Sequence, residues 1–162
     1  MAHFAELDSN KIVLRIINFS NDEVDANGGE LSVEAENFVA ARHGGTWKQT
    51  SYNNNFRKQY AINGGVYDEA KDKFISPKPH ASWSLDANDD WAAPVTFPNT
   101  ETCAQGKLNI IDWDEDNQRW TGDFHNPGGF ETDGAEWAPR NIYRWDVPTL
   151  TWIQILPEVE VT

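Results

Sequence analysis

The sequence predicts a mainly β fold: an N-terminal β-hairpin with one short helix, followed by consecutive aromatic-clasped β-hairpins. Three observations predict it. An aromatic or apolar residue followed by Asp, with a second aromatic a few positions on, occurs at Tyr67-Asp68 to Phe74, Leu85-Asp86 to Trp91, Trp113-Asp114 to Trp120 and Trp145-Asp146 to Trp152. Residues 4–17 alternate apolar and polar around the turn signal Asp8-Ser9-Asn10. Only residues 30–43 carry a convincing helical pattern.

The hairpins rest on spacing. In three of the four runs the large rings stand seven positions apart. Residues so spaced face each other on one side of a hairpin closed by a two-residue turn. The register puts Trp113 opposite Trp120 and Asp114 opposite Arg119, with Asp116-Asn117 as the turn. It likewise puts Asp68 opposite Lys73, and Asp146 opposite Thr151 with Pro148-Thr149 as the turn. The expected clasp residues are Tyr67, Phe74, Leu85, Trp91, Trp113, Trp120, Trp145 and Trp152.

Residues 4–7 and 12–17 read as the first hairpin. Residues 21–29 are acidic, end in Gly-Gly and read as a loop. The helix over 30–43 has Ser32 as N-cap, Glu34 and Glu36 at the favourable end of its dipole, and Gly44-Gly45 as its stop. Leu31, Ala35, Phe38, Val39 and the Arg42 stem fall near one face, which must pack on the sheet for so short a helix to persist. Residues 46–52 read as a strand, Asn53-Asn54-Asn55 as a turn, and 56–62 as a returning strand. Proline-bearing stretches at 76–79 and 93–98 read as extended surface connectors. The tail, 156–162, alternates, and reads either as an edge strand for a neighbouring chain or as a frayed end. The organisation expected is an α+β module over 1–65 and a tandem hairpin module over 66–162, or one continuous domain.

Composition narrows the function. The 162 residues carry a formal charge of −13. That sign repels phosphate backbones and anionic membrane surfaces, so nucleic-acid and membrane partners are not expected. Eight Trp and eight Phe supply large apolar area from few residues, which predicts aromatic clusters rather than one aliphatic core. Cys103 is the single cysteine and has no His near it in sequence, so it reads as a packing residue. Residues 1–6 show neither a basic start nor an apolar run, and no stretch approaches membrane-spanning length, which predicts synthesis and folding in a cytoplasm.

Candidate chemistry is sparse. Asp112, Asp114, Asp116 and Asp123 echo the acidic places of a calcium loop. Asn117 stands where that loop needs Gly, and the flanks read as strands, so turn formation and solubility are the favoured roles. His3, His43, His80 and His125 lack zinc spacing. No nucleophile elbow, triad pattern or phosphate-cradling Gly motif stands out. No enzyme, metal or cofactor is expected. Trp47, Tyr52, Trp83, Trp91, Trp137 and Trp145 are candidates for stacking on sugars, although hairpin packing explains most rings in such a chain. Trp47, Tyr52, Trp83 and Trp137 are the candidate interface residues.

Several motifs in a fixed order carry a resemblance. They are residues 1–8 (MAHFAELD), 44–53 (GGTWKQTSYN) with 56–61 (FRKQYA), Tyr67-Asp68 through Phe74-Ile75, Pro77-Lys78-Pro79, residues 82–86 (SWSLD), and Trp113-Asp114 to Trp120. Over roughly the first 120 residues the chain resembles small proteins of tailed bacteriophages of marine bacteria, cyanobacterial phages especially. The resemblance implies a virion structural protein: a capsid decoration or cement protein, or a neck, tail or fibre component. It implies other virion proteins and copies of itself as partners, and carries no catalytic or ligand residues. The alternative is a host-recognition module of the virion that binds surface glycans. Residues 122–140 and the hairpin at 145–155 extend beyond the pattern of such proteins.

Overall fold

The computed structural model describes residues 1–124 and 141–155. The fold is mainly β, with small antiparallel sheets and two short helices. The chain divides into two compact units, Met1–Pro79 with Ala87–Asp90, and His80–Asp86 with Trp91–Thr162. The division falls after the Tyr67–Phe74 hairpin, not before it at residue 65. Tyr67 and Phe74 bury against Ala5, Leu7, Val13 and Ala61, so this hairpin belongs to the N-terminal core.

In the first unit, β1 (Ala2–Leu7) lies between β2 (Val13–Phe19) and a later strand, β3 (Thr46–Thr50). Two helices connect β2 to β3: α1 (Asn21–Asp25) and α2 (Val33–His43). Strand β3 pairs with β1, placing Trp47 opposite Glu6 and Gln49 opposite Phe4. Residues 56–62 do not return beside it as a strand; they form an irregular segment. Alternation along the central strand sends Phe4 to one face and Ala5 and Leu7 to the other. Phe4 packs with Phe19, Val24, Ala35, Val39 and Trp47 beneath the helices. The opposite face is covered by β4 (Val66–Asp68) and β5 (Lys73–Ile75). Both Phe4 and Ala5 are fully buried, as a strand covered on both faces requires.

Two details of this unit differ from the sequence reading. Residues 21–25 form a helix, not a loop, because Ser20 and Glu23 make a reciprocal capping box. The second helix starts at Val33, with Ser32 accepting the Ala35 N–H, and turns Ala35, Glu36 and Val39 inward while Leu31 stays exposed.

The second unit holds two short ladders, β6 (Ser84–Leu85) with β7 (Trp91–Ala92) and β8 (Thr102–Cys103) with β9 (Gly106–Lys107). Its main body is a four-stranded meander of β10 (Ile110–Asp114), β11 (Arg119–Phe124), β12 (Asn141–Asp146) and β13 (Thr151–Gln154). Trp113 lies opposite Trp120 and Trp145 opposite Trp152, with ring centroids 5.1 and 5.3 Å apart in edge-to-face geometry. These four rings, with Tyr143, Leu108 and Cys103, form the core of the unit. Gly122 sits under them because a Cβ there would stand 2.5 Å from a Leu108 methyl. Two of these indoles bond to the connector: Trp120 donates to the Val95 carbonyl at 2.9 Å and Trp152 to that of Thr100 at 2.8 Å. Val95 packs against the ring cluster, so the proline-bearing connector is part of the core and not only a surface spacer.

The hairpins share a turn device. Asp68, Asp114 and Asp146 each accept the backbone N–H of the residue three further on. The Asp after the first ring thus braces the turn, and in the third run Asp114 also pairs across the strands with Arg119. In all four runs the residue two before the second ring is left-handed without being Gly: Asp72, Asp89, Gln118 and Leu150 have φ of 48, 59, 47 and 51°. Leu85 and Trp91 do pair, but Leu85 is exposed and Trp91 only half-buried, so this clasp is the weakest of the four.

Two outcomes follow. Trp113→Ala removes a buried ring from the cluster and is expected to cost about 3–5 kcal/mol in denaturant unfolding; an unchanged midpoint would show that the ring pair does not hold the hairpin. Leu150→Asn relieves a bulky residue of a left-handed conformation at an exposed position and is expected to stabilise by up to about 1 kcal/mol. A lower melting temperature in that variant would show that strain is not what dominates there.

Candidate functional site

A groove of about 380 Å³ opens in the first unit, at the end of β3 and the start of β1. Tyr52, Ser51, Asn53, His3, Asp25 and Glu30 are among its lining residues. It forms where it does because β3 ends at Thr50 and the chain turns through 51–54, with Asn54 N–H donating to the Ser51 carbonyl and Asn55 N–H to the Ser51 hydroxyl. Thr50 lies opposite His3, so Tyr52, two residues on, comes to the same side as the imidazole.

Tyr52 is 70% exposed. Its ring stacks on His3 at 5.8 Å with an interplanar angle of 25°, and the Tyr60 ring meets it edge-on at 5.6 Å. His3 and Tyr60 also contact each other at 5.5 Å, closing a three-ring cluster. Burial, and then the charge of the N-terminal ammonium, lower the His3 pKa below its ordinary value. Asn21, Asp25, Glu30 and Asn53 line the groove with side chains that make no hydrogen bond or ion pair among the described residues, and no Lys or Arg lines it.

The other sequence candidates fall differently. Trp47 is not a surface contact: it is 2% exposed, and its indole donates to the Gly44 carbonyl at 2.6 Å. Trp83 is half-buried against Trp113 and Trp120, with His80 tilted on it, and its indole nitrogen is enclosed without an acceptor. Trp145 is buried in the core of the second unit. Trp137, His125 and the tail at 156–162 lie outside the described residues.

The acidic run has structural occupations. Asp114 caps its turn and pairs with Arg119 at 3.0 Å, and the Glu115 carboxylate receives the Ser82 hydroxyl and N–H and the Trp113 indole. These bonds, the Ser82 hydroxyl first, hold Glu115 below its ordinary range. Among the described residues no three His, Cys, Asp or Glu side chains are arranged to hold a metal ion.

Two ionic knots in the first unit were not foreseen. Glu36, buried on α2, receives Lys48 at 2.7 Å, Arg57 at 2.8 Å and the Gln49 N–H at 3.2 Å. Arg57 also donates to Asp72 at 2.7 Å and to the Gln49 carbonyl at 2.8 Å. Tyr67 donates to the same Asp72 oxygen. Burial, and then that bond, pushes the Tyr67 phenol far above its ordinary value. Burial works against the Asp72 carboxylate, yet Tyr67 and Arg57 hold it below the usual range. The second knot is Asp89, 7% exposed, whose two oxygens receive Lys71 and Lys73. Lys58 grips the same segment through the Asn88 carbonyl at 2.8 Å and the Asp90 carboxylate at 2.6 Å.

No family model matches the chain, and no curated protein or solved structure matches it either.

The Asp89 knot carries a pH signature. The hydrogen bonds from Lys71 and Lys73 hold its pKa down to about 2, against an ordinary 3.8. A carboxyl whose folded value is depressed adds stability above the unfolded value and loses it as pH falls through the folded one. Stability is therefore expected to decline as pH falls from about 4 to about 2, and Asp89→Asn to be less stable at neutral pH but flatter across that window. Chemical denaturation at a series of pH values checks this; an equal slope in the variant would place the acid sensitivity in the other carboxylates.

Proposed function

We propose that this protein is a structural component of a tailed-phage particle, either a capsid decoration or cement protein or a part of the neck, tail or fibre, working through protein contacts. The resemblance over roughly the first 120 residues supports the setting. The surface of the second unit supports the mode of action, and one observation carries it. The meander buries its Trp face, while its other face leaves Ile110, Ile153 and Ile155 exposed at 58, 36 and 38%. Phe97, Val147 and Leu150 add exposed apolar area in the same unit. Apolar surface of this kind on a small acidic protein favours association with a partner or with copies of itself. The carboxylates whose pKa values are most clearly depressed cap turns or pair with Lys and Arg, as in a scaffold.

The test is quantitative mass spectrometry of purified particles of the phage that encodes the chain, separated into heads and tails after mild disruption. Recovery with heads in proportion to the major capsid protein is expected for decoration or cement. Recovery with tails at a few copies is expected for a neck, tail or fibre part. Absence from both fractions would overturn the reading.

A further inference from the structure

We propose that the Tyr52 groove is a binding site for a neutral pyranoside. The argument rests on the groove alone, independently of any place in a particle. Four features select this ligand chemistry. First, Tyr52 presents an aromatic ring that is 70% exposed yet braced by His3 behind and Tyr60 at its edge. A ring held in place before binding loses little conformational freedom on contact, and its electron-rich face suits the polarised C–H face of a sugar ring. Second, the groove offers amide and carboxylate groups from Asn53, Asn21, Asp25 and Glu30 that are not engaged among the described residues. A mixture of donors and acceptors at close range is what vicinal hydroxyls need, since each hydroxyl both gives and receives a hydrogen bond.

Third, the charge is selective. The lining carries the carboxylates of Asp25 and Glu30 against a single cation, the Met1 ammonium, with no Lys or Arg, so its net charge is negative. Phosphorylated, sulfated or uronic-acid ligands would meet net repulsion from the two carboxylates, whereas an uncharged sugar would not. Fourth, about 380 Å³ falls at the lower end of small-ligand sites, a size for one or two rings and not for an extended protein surface. The polar lining also distinguishes the groove from the apolar face of the meander, where a protein partner would sit.

Titration of the full chain with the methyl glycosides of glucose, galactose, mannose and N-acetylglucosamine, followed by amide chemical shifts, tests the proposal. Glucuronic acid serves as the charged control. At least one neutral glycoside is expected to bind saturably with a millimolar Kd, moving amides of residues 49–55 and 1–3. Tyr52→Ala is expected to weaken it by at least about tenfold with the rest of the spectrum unchanged, while Tyr52→Trp retains it. Asn53→Ala, at an exposed turn position, is expected to weaken binding without touching the ring cluster. No saturable shift with any neutral glycoside, equal binding by Tyr52→Ala, or tighter binding of glucuronic acid would each overturn the proposal. Absence of the protein from phage particles would leave the groove assignment standing, and failure of sugar binding would leave the particle assignment standing.

Discussion

The contact on which the first unit depends is the one between Glu36 and Arg57. Both side chains are almost entirely enclosed, and a buried charge is tolerated only when its partners are complete. Here they are. Glu36 satisfies Arg57, Lys48 and the Gln49 N–H, while Arg57 satisfies Glu36, Asp72 and the Gln49 carbonyl. The consequence is topological. Gln49 lies on β3, the outer strand of its sheet, and its outward N–H and carbonyl are taken by side chains and not left for another strand. One ion pair thus fixes the helix to the sheet, holds the segment after β3, anchors the Tyr67 hairpin through Asp72, and closes an edge. It also explains why Arg57 and Lys58 both sit in left-handed conformations, with φ of 54 and 68°. The side chains they aim into the two ionic knots offset the backbone cost.

The second unit relies on an aromatic core. Two of its indoles find acceptors on the connector that crosses them, Val95 for Trp120 and Thr100 for Trp152. Each hairpin is short, and a lone two-stranded hairpin is marginal in water. The repeated device compensates locally. An Asp carboxylate organises the turn, a left-handed residue returns the chain, and two rings close above it. Because the device is local, it tolerates turns of different sequence, such as Glu115-Asp116-Asn117-Gln118 and Val147-Pro148-Thr149-Leu150.

What was legible in the sequence is what local spacing dictates. Rings seven apart must face each other in a hairpin, and Trp113 with Trp120, Tyr67 with Phe74, and Trp145 with Trp152 do so. Ser32 as a cap and Gly44 as a stop are local too. The capping box of Ser20 and Glu23 was equally visible, but the acidic composition around it masked a helix of one turn. What was not legible depends on pairing at long range. Residues 56–62 read as a returning strand, yet β3 pairs with β1 on one side, and on the other Glu36 and Arg57 take the Gln49 N–H and carbonyl. That same pairing buries Trp47 and brings His3 beside Tyr52. Glu36 read as an acid placed for the helix dipole because nothing in its neighbourhood reveals the cations that surround it.

The location of the groove follows from these constraints. Strand β3 is held through Gln49 and through Thr50, whose hydroxyl accepts the Ala61 N–H at 2.8 Å. One residue later the strand ends, and Ser51 to Asn54 make a turn that buries Ser51 and leaves Tyr52, Asn53 and Asn54 exposed. A recognition surface benefits from this arrangement, since exposed groups mounted at the margin of a stiff unit keep their geometry without being consumed by the core. Tyr52 meets that description more closely than any Trp the sequence offered whose position is described. Trp47, Trp113, Trp120, Trp145 and Trp152 are committed to packing, and burial removes Trp47 and Trp145 from the surface they were candidates to form. In this chain the large indoles build the scaffold, and a braced phenol remains for contact.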